Sequence, residues 1–462
     1  MFSNQKSEIL LANIREGRPM SRKEKLNLII ELSIPSILAQ ITTVMMFFID
    51  ASMVGHLGTN ASASIGLVES STWLLGSMTS AASMGFSVQV AHFIGANDFV
   101  KARQVFRHGL ICTLILSLVI ALIGVSIYQP LPYWLGGTPD IAHDASLYFL
   151  VIALSLPFIQ LSSLSNAMLK SSGDMRFPSL ISVGMCILDI IFNYFFIYIL
   201  HFGVVGAAFG TALAYAVGSM TSAYVAIATN KILALGQDKE PFVWMSNYVV
   251  NAVKIGAPMA AQSLLMSGAQ IVSTIIVAPL GKVSIAANTF AITAESLCYM
   301  PGYGIGDAAT TLVGQSVGAG RFDISKSFAH MTIFLGMGVM AFMGLLMFIF
   351  APEMIGLLTP VEEIRMLGVQ SLRIEAFAEP FFAASIVAYS VCVGAGDTMK
   401  PAMMNLFSMW GVRLTLAALL ASTYGLPGVW TAMAIELTFR GSIFLYRIFN
   451  GKWLWALQKE KG

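Results

Sequence analysis

Long apolar stretches separated by short polar segments dominate this chain of 462 residues. Runs of about 20 apolar residues can cross the roughly 30 Å hydrocarbon core of a membrane as helices. Twelve such runs occur, at 27–50, 62–86, 105–128, 143–169, 178–200, 204–229, 246–279, 284–314, 327–350, 364–394, 401–423 and 426–448. The pattern predicts an all-α integral membrane protein with twelve transmembrane helices.

The last six runs repeat the first six at an offset of 223 residues. Gly and Pro recur at this offset in Pro35/Pro258, Gly58/Gly281, Gly95/Gly318, Pro157/Pro380, Gly173/Gly396 and Pro178/Pro401. Because these residues shape the backbone, the repeat predicts two pseudo-symmetric six-helix lobes, parallel about an axis along the membrane normal. We expect an N-terminal segment at 1–26, an N-lobe at 27–229, a linker at 230–245, a C-lobe at 246–450 and a tail at 451–462.

Composition and charge agree with a membrane protein. Hydrophobic residues make up 56% of the chain and charged residues 11%, with a mean hydropathy of +0.76. Lys and Arg are densest at 6–25 and 101–107, whereas the long connection at 129–142 has none. The positive-inside rule therefore predicts a multi-pass protein of the cytoplasmic membrane with both termini cytoplasmic, targeted by its first span. The net charge of +2, without interleaved aromatic residues, argues against a nucleic-acid partner.

The four cysteines lie singly in apolar runs, at positions 112, 186, 298 and 392. Zinc sites and disulfide frameworks need closer Cys or His spacing. We therefore expect small core residues and no tightly bound cofactor.

Acids within the spans are the candidate functional residues, because a charge at the bilayer centre costs roughly 2.5–3.5 kcal/mol. Asp50 lies near the outer end of span 1, Asp189 and Asn193 on span 5, and Glu295 and Asp307 on span 8. Asp189 and Asn193 are four residues apart, so they share a helix face and offer a carboxylate and an amide carbonyl to one point. Such oxygens suit a proton or Na⁺; the alternative is that Asp189 only bonds a neighbouring helix.

The two copies differ at these acids. At the 223-residue offset the counterparts are Asp50/Ser273, Asp189/Val412, Asn193/Leu416 and Glu295/Thr72. We therefore predict an acid cluster in the first lobe only, as a site for a coupling ion. Glu295 remains a second candidate beside a helix-packing role. Four further charged residues lie nearer span ends or are able to pair with one another: Glu69, Glu379, Arg413 and Glu436.

Several motifs resemble the MATE (multidrug and toxic compound extrusion) family: DASMVGHLG after span 1, ESLCYMPGYG leading to TTLVGQSVGAG in span 8, and GAGDTMKP after span 10. The resemblance implies a secondary antiporter and not an enzyme. In such a protein inward H⁺ or Na⁺ drives efflux of organic cations, drugs or other amphiphilic small molecules by alternating access. We also expect it to function as a monomer among membrane lipids.

The resemblance also implies site residues. The family's first-helix aspartate falls on Asp50, its fifth-helix Asn and Asp fall on Asp189 and Asn193 in swapped order, and its sixth-helix threonine falls on Thr211. With Na⁺ as coupling ion, Asp50, Asp189 and Asn193 would be metal ligands. The acids of the NorM-like branch fall at about Met266 and at Phe381 or Phe382, so the chain resembles the DinF-like, archaeal-type branch more closely.

Three other classes compete with this interpretation. A lipid-linked oligosaccharide flippase of the same superfamily needs several cavity cations, and Arg413 is the clearest mid-span cation. A major-facilitator carrier would have a basic signature loop between spans 2 and 3, which we do not find. An intramembrane hydrolase would need a motif such as HExxH, which is absent, or an aspartyl dyad formed by contact between Asp50 and Asp189.

Overall fold

The computed structural model describes residues 5–454, apart from the side chains of Thr59 and Lys282. The described residues form α-helices and short π- and 3₁₀-helical turns without strands. The α-helices are α1 (Gln5–Arg15), α2 (Arg22–Gly55), α3 (Thr59–Gly95), α4 (Phe99–Ile127), α5 (Leu131–Trp134), α6 (Pro139–Leu154), α7 (Leu156–Ser171), α8 (Arg176–Tyr194), α9 (Val204–Tyr224), α10 (Ser246–Val277), α11 (Lys282–Gly318), α12 (Phe322–Leu358), α13 (Glu362–Ala376), α14 (Glu379–Gly394), α15 (Met399–Leu406), α16 (Leu414–Tyr424) and α17 (Leu426–Phe449). The π-helical turns are Phe195–Ile199, Val225–Thr229 and Phe407–Arg413.

Seven continuous helical spans in the described part are long and apolar enough to cross a membrane. They are Arg22–Gly55, Phe99–Ile127, Arg176–Ile199, Val204–Thr229, Ser246–Leu280, Phe322–Leu358 and Met399–Tyr424. The pairs α6–α7 and α13–α14 meet the same criterion together, bent by 47° and 59°, which gives up to nine spans. Helices α3, α11 and α17 have 37, 37 and 24 residues and carry more polar side chains. With these three, the helices confirm the predicted all-α fold of twelve spans.

The bends in the two helix pairs occur at equivalent prolines. Pro157 lies at the start of α7 and Pro380 at the start of α14. A proline inside a helix removes one backbone donor and its ring clashes with the preceding turn, so the helix breaks there. Predicted spans 143–169 and 364–394 are therefore each two helices with different axes.

Contacts divide the described chain into two compact units. Unit 1 comprises residues 5–9 and 42–260, and unit 2 comprises residues 10–41 and 261–454. Two of the boundaries between the units fall within long helices. The boundary after residue 41 lies in α2, and the boundary after residue 260 lies in α10. The core of unit 1 gathers around Phe106, Leu164 and Met168, and that of unit 2 around Leu372 and Trp430.

The internal repeat is visible in the backbone of each unit. Gly58 and Gly281, which precede α3 and α11, have φ of 120° and 102°. Gly173 and Gly396 have φ of 93° and 85°. Side chains disfavour these angles, so the repeated glycines are required by repeated turns.

Candidate functional site

Three helices of unit 1 bring together the residues predicted for the ion site. Asp50 lies near the end of α2, Asp189 and Asn193 lie one turn apart on α8, and Thr211 lies on α9. Asp189 and Asn193 are fully buried, whereas Asp50 and Thr211 are half-buried. The four side chains form one group, although they are up to 161 residues apart in sequence.

Hydrogen bonds connect the four side chains. The Asn193 Nδ2 amide donates to Asp50 Oδ1 at 2.7 Å and to Asp189 Oδ2 at 3.3 Å. The Thr211 hydroxyl donates to Asp189 Oδ1 at 3.1 Å. The Asn193 amide thus bridges the carboxyl groups of Asp50 and Asp189, which lie close to each other. Two acids this close favour sharing a positive charge, because two ionised carboxylates repel each other.

The orientation of Asn193 differs from the sequence-based expectation. Its amide nitrogen, and not its carbonyl oxygen, faces the two carboxyl groups. The buried Oδ1 has no hydrogen-bond partner among the described residues. A rotated amide would turn this oxygen toward the carboxylates, so Asp50, Asp189, Asn193 and Thr211 have the oxygen donors to hold Na⁺ as well as a proton.

A glycine on α9 allows this arrangement. A Cβ atom added at Gly210 would lie 1.9 Å from Asn193 Oδ1 and 2.9 Å from the Asn193 backbone nitrogen. No side chain fits at such distances, so α8 and α9 approach closely at this position only because residue 210 is glycine. The role of Gly210 depends on a neighbouring helix, so no pattern in the sequence predicts it.

Asp50 and Thr211 also line a cavity of about 500 Å³ in unit 1. Four aromatic side chains contribute to its wall: Phe47, Trp73, Tyr148 and Tyr215. The rings of Phe47 and Trp73 have centroids 5.4 Å apart. Among the described residues lining this cavity, Asp50 and Glu69 are acids and none is a Lys or Arg.

Unit 2 contains a second buried acid cluster, so the prediction of an acid cluster in the first lobe only is wrong. Glu295 on α11, Glu375 in α13 and Glu379 in α14 each present a carboxylate oxygen within 4.8 Å of the other two. All three are buried. Glu295 was a predicted candidate and Glu379 was expected near a span end, whereas Glu375 was not predicted. The bend between α13 and α14 decides this proximity.

The other charged candidates of unit 2 have separate partners. Asp307 accepts hydrogen bonds from Ser36 at 3.0 Å and Gln40 at 3.1 Å. Arg413 pairs with Glu436 at 2.8 Å. The pairing that the sequence allowed for Arg413 and Glu436 is therefore formed, and Asp307 does not join the Glu295 cluster.

Fold and site together define a duplicated polytopic helical membrane protein with buried acids beside an aromatic cavity. A family model named MatE matches residues 35–195 and 258–419, and the two matches begin at the 223-residue offset of the repeat. The chain belongs to the MatE family, as the resemblance predicted.

Curated relatives and solved structures resemble the chain over nearly its whole length. "Probable multidrug resistance protein NorM" of Thermotoga maritima is 26% identical over 448 residues, covering 95% of this chain and 94% of the relative. "Uncharacterized transporter YisQ" of Bacillus subtilis is 26% identical over 420 residues, covering 89% and 90%. A crystal structure of MATE in complex with MaL6 has a TM-score of 0.89 at 23% identity, covering 99% and 100%. A MOP superfamily transporter from Pyrococcus furiosus has a TM-score of 0.88 at 23% identity, covering 97% and 99%.

Proposed function

We propose that this protein is a cation-coupled multidrug antiporter of the cell membrane, with H⁺ or Na⁺ exchanged for an amphiphilic organic cation. The observation that carries the proposal is the double role of Asp50 and Thr211. Both line the unit 1 cavity and both belong to the hydrogen-bonded group around Asp189. An ion bound at this group and a substrate in the cavity would therefore both lie next to Asp50 and Thr211.

The cavity chemistry supports the substrate class. A volume of about 500 Å³ is within the range of small-molecule sites. Phe47 and Trp73 offer flat aromatic faces, and Glu69 and Asp50 offer negative charge. Aromatic faces attract cations as well as apolar groups. The cavity thus suits a molecule with an apolar body and a positive charge.

Coupling in this proposal results from competition at the shared wall. A proton or Na⁺ at Asp50 and Asp189 removes negative charge beside the cavity, which weakens binding of a cationic substrate. The two ligands then stabilise different states of the transporter, which alternating access requires. The residues of this site, Asp50, Asp189, Asn193 and Thr211, are the ones that resemble the DinF-like branch. We therefore propose that the chain belongs to that branch, although relatives named NorM are similar overall.

The rival functions fit the geometry less well. A flippase for an anionic lipid would need cavity cations, whereas the described lining contains two acids, and Arg413 is bound to Glu436. Asp50 and Asp189 do approach each other, as an aspartyl hydrolase requires. Asp189 is fully buried and does not line the cavity, which leaves no room for a substrate between the two carboxyl groups.

Efflux of a fluorescent organic cation from vesicles, with Na⁺ and pH gradients imposed separately, tests the proposal. We expect one gradient to drive efflux by the wild-type protein and Asp50→Asn to abolish that response. Glu69→Gln should weaken efflux of the cation but leave efflux of a neutral amphiphile near the wild-type rate. Asp140→Asn, on an exposed position of unit 1, serves as the control. Gradient-independent efflux, or an unchanged response in Asp50→Asn, would contradict the proposal.

A further inference from the structure

A groove on the surface of unit 2 runs along α12 and α13 and shares no lining residue with the unit 1 cavity. Its volume is about 660 Å³. Pro352 lines it from α12, and α13 lines it with side chains spaced three, four, seven or eight residues apart, which share one helix face. The lining residues of α13 include Arg365, Met366, Val369, Gln370, Arg373 and Ile374. A face of α13 that is both cationic and apolar therefore borders the groove.

Pro352 determines how Arg373 is held in the groove. In a regular helix the Phe348 carbonyl would accept a hydrogen bond from the N–H of residue 352, but proline has no N–H. Arg373 Nε donates to this carbonyl at 3.2 Å. The Arg373 guanidinium also lies 5.2 Å from the centroid of the Phe348 ring, which is 5.6 Å from that of Phe377. Arg373 is therefore fixed by a carbonyl that the proline leaves free and by an aromatic face.

The terminal nitrogens of Arg373 remain available to a ligand. Nη1 and Nη2 have no hydrogen-bond or ion-pair partner among the residues that the structure describes. Arg365 packs on Gly356, where an added Cβ would lie 3.1 Å from Arg365 Nη2. Its ion pair with Glu362 is 3.7 Å long, and the Glu362 side chain is 74% exposed. The described protein groups therefore leave donors of both guanidinium groups unused, because each guanidinium has five N–H groups.

Arg365 and Arg373 lie at two heights along the groove. Arg373 contacts Phe348 and Arg365 contacts Gly356, so eight residues separate the two positions on each helix. Eight helical residues span about 12 Å. An elongated anionic head group matches this spacing better than a single small anion does.

The surface around the two arginines is apolar. Met366 and Phe377, which line the groove, are 66% and 75% exposed. Exposed apolar side chains of a membrane-spanning protein contact hydrocarbon, where an unneutralised Arg is costly. The predicted topology places this end of α12 away from the cytoplasm, so the positive-inside rule does not explain the arginines. A phosphate group of the bilayer would neutralise them.

We propose that this groove binds the head group of an anionic phospholipid from the surrounding bilayer. The Nη groups of Arg373 donate paired hydrogen bonds to the phosphate, a geometry that suits a guanidinium, and Arg365 contacts the polar end of the head group. The acyl chains lie against Ile374 and Phe377. The proposal goes beyond antiport, because lipid binding here involves neither the unit 1 cavity nor its acids.

Native mass spectrometry of the purified full-length protein, with added phosphatidylglycerol or phosphatidylcholine of the same acyl chains, tests this site. We expect the wild type to retain phosphatidylglycerol in preference to phosphatidylcholine. Arg373→Gln should reduce the affinity for phosphatidylglycerol about tenfold or more, because charge-assisted hydrogen bonds are lost. Lys101→Gln, which removes the same charge at an exposed position of α4, should match the wild type.

Thermal unfolding in lipid-free detergent establishes that each variant folds, and added phosphatidylglycerol should raise the melting temperature of the wild type. If Arg373→Gln does not fold, Arg365→Gln provides the same comparison. Equal retention of the two lipids by the wild type would overturn the proposal, and so would unchanged phosphatidylglycerol binding in the folded variant. An equal increase in melting temperature with soluble glycerol 3-phosphate would also overturn it, since the site would then bind small anions and not lipid. Failure of gradient-driven efflux would leave these measurements unaffected.

Discussion

For single residues, the sequence predicted which side chains share a face of one helix, but it did not predict contacts between helices. The i, i+4 spacing of Asp189 and Asn193 predicted a shared face, and both side chains do belong to one group. The same spacing did not reveal that the Asn193 amide nitrogen faces the acids. Nor did it reveal Gly210, whose importance depends on the Asn193 side chain from another helix.

Replacing Gly210 with alanine should disrupt the ion site. The new Cβ would overlap Asn193 Oδ1, so we expect destabilisation of about 1–3 kcal/mol and loss of gradient-driven efflux. Thermal unfolding and vesicle efflux measure the two effects. Gly184→Ala on α8 is the matched control, because its Cβ meets nothing within 4 Å. Equal behaviour of the two variants would show that the close approach at Gly210 is unimportant.

At the scale of elements, hydrophobic runs located the spans but not their axes or polar ends. Pro157 and Pro380 are a repeat pair in the sequence, yet only the structure shows that each separates two helices, bent by 47° and 59°. The N-terminal segment contains α1, which buries Leu10, Leu11 and Ile14. This helix was not predicted, because its 11 residues are too few for a span.

Two buried ion pairs share Glu436 and should contribute strongly to stability: the pair with Arg413 joins the Phe407–Arg413 turn to α17, and the pair with Arg440 lies within α17. Glu436→Gln removes the shared partner of Arg413 and Arg440, and breaking such a buried pair costs about 3–5 kcal/mol. Thermal unfolding in detergent should show a marked decrease in melting temperature.

An exposed ion pair provides the comparison. Glu362 pairs with Arg365 at 3.7 Å, and the Glu362 side chain is 74% exposed. Glu362→Gln should cost only about 0–1 kcal/mol. If Glu362→Gln and Glu436→Gln lowered the melting temperature by comparable amounts, the buried and the exposed ion pairs would not differ in their contribution to stability, contrary to this prediction.

At the scale of the whole molecule, the repeat describes a common backbone on which the two copies differ in their acids. Repeated glycines have repeated positive φ angles, and the MatE family model matches both copies. Comparing counterparts at fixed offset correctly located acids peculiar to the first copy. In the second copy it identified Glu295 but not its partners Glu375 and Glu379, because these become neighbours of Glu295 only after folding.

The segment that connects the two copies, residues 230–245, is bound to α4 by hydrogen bonds. Arg103 donates to Ile232 O at 2.7 Å, to Asp238 at 2.8 Å and to Gln237 Oε1 at 2.8 Å. Arg103→Ala should release this segment, because hydrogen bonds to charged groups contribute about 1.5–3 kcal/mol each. Trypsin should then cleave after Lys231 at least about tenfold faster, as electrophoresis would show.

Lys101→Ala is the control for this experiment. Lys101 also lies on α4, but it is exposed and pairs with Asp98 at 3.5 Å. Its removal should leave tryptic cleavage of the connection unchanged. If Arg103→Ala and Lys101→Ala are cleaved at the same rate, Arg103 does not hold the connection.

The membrane environment, the twelve spans, the duplication and the family could be predicted from the sequence, because they depend on run length, composition and motifs within one segment. The sequence also indicated Asp50 and Asp189 as candidates, since a charge in hydrocarbon is costly wherever the helix lies. Which side chains meet depends on contacts between helices, so it followed only from the folded structure. Helix bends, glycine contacts and amide orientation placed Asp50 beside a cavity and assembled Glu295, Glu375 and Glu379 around one point.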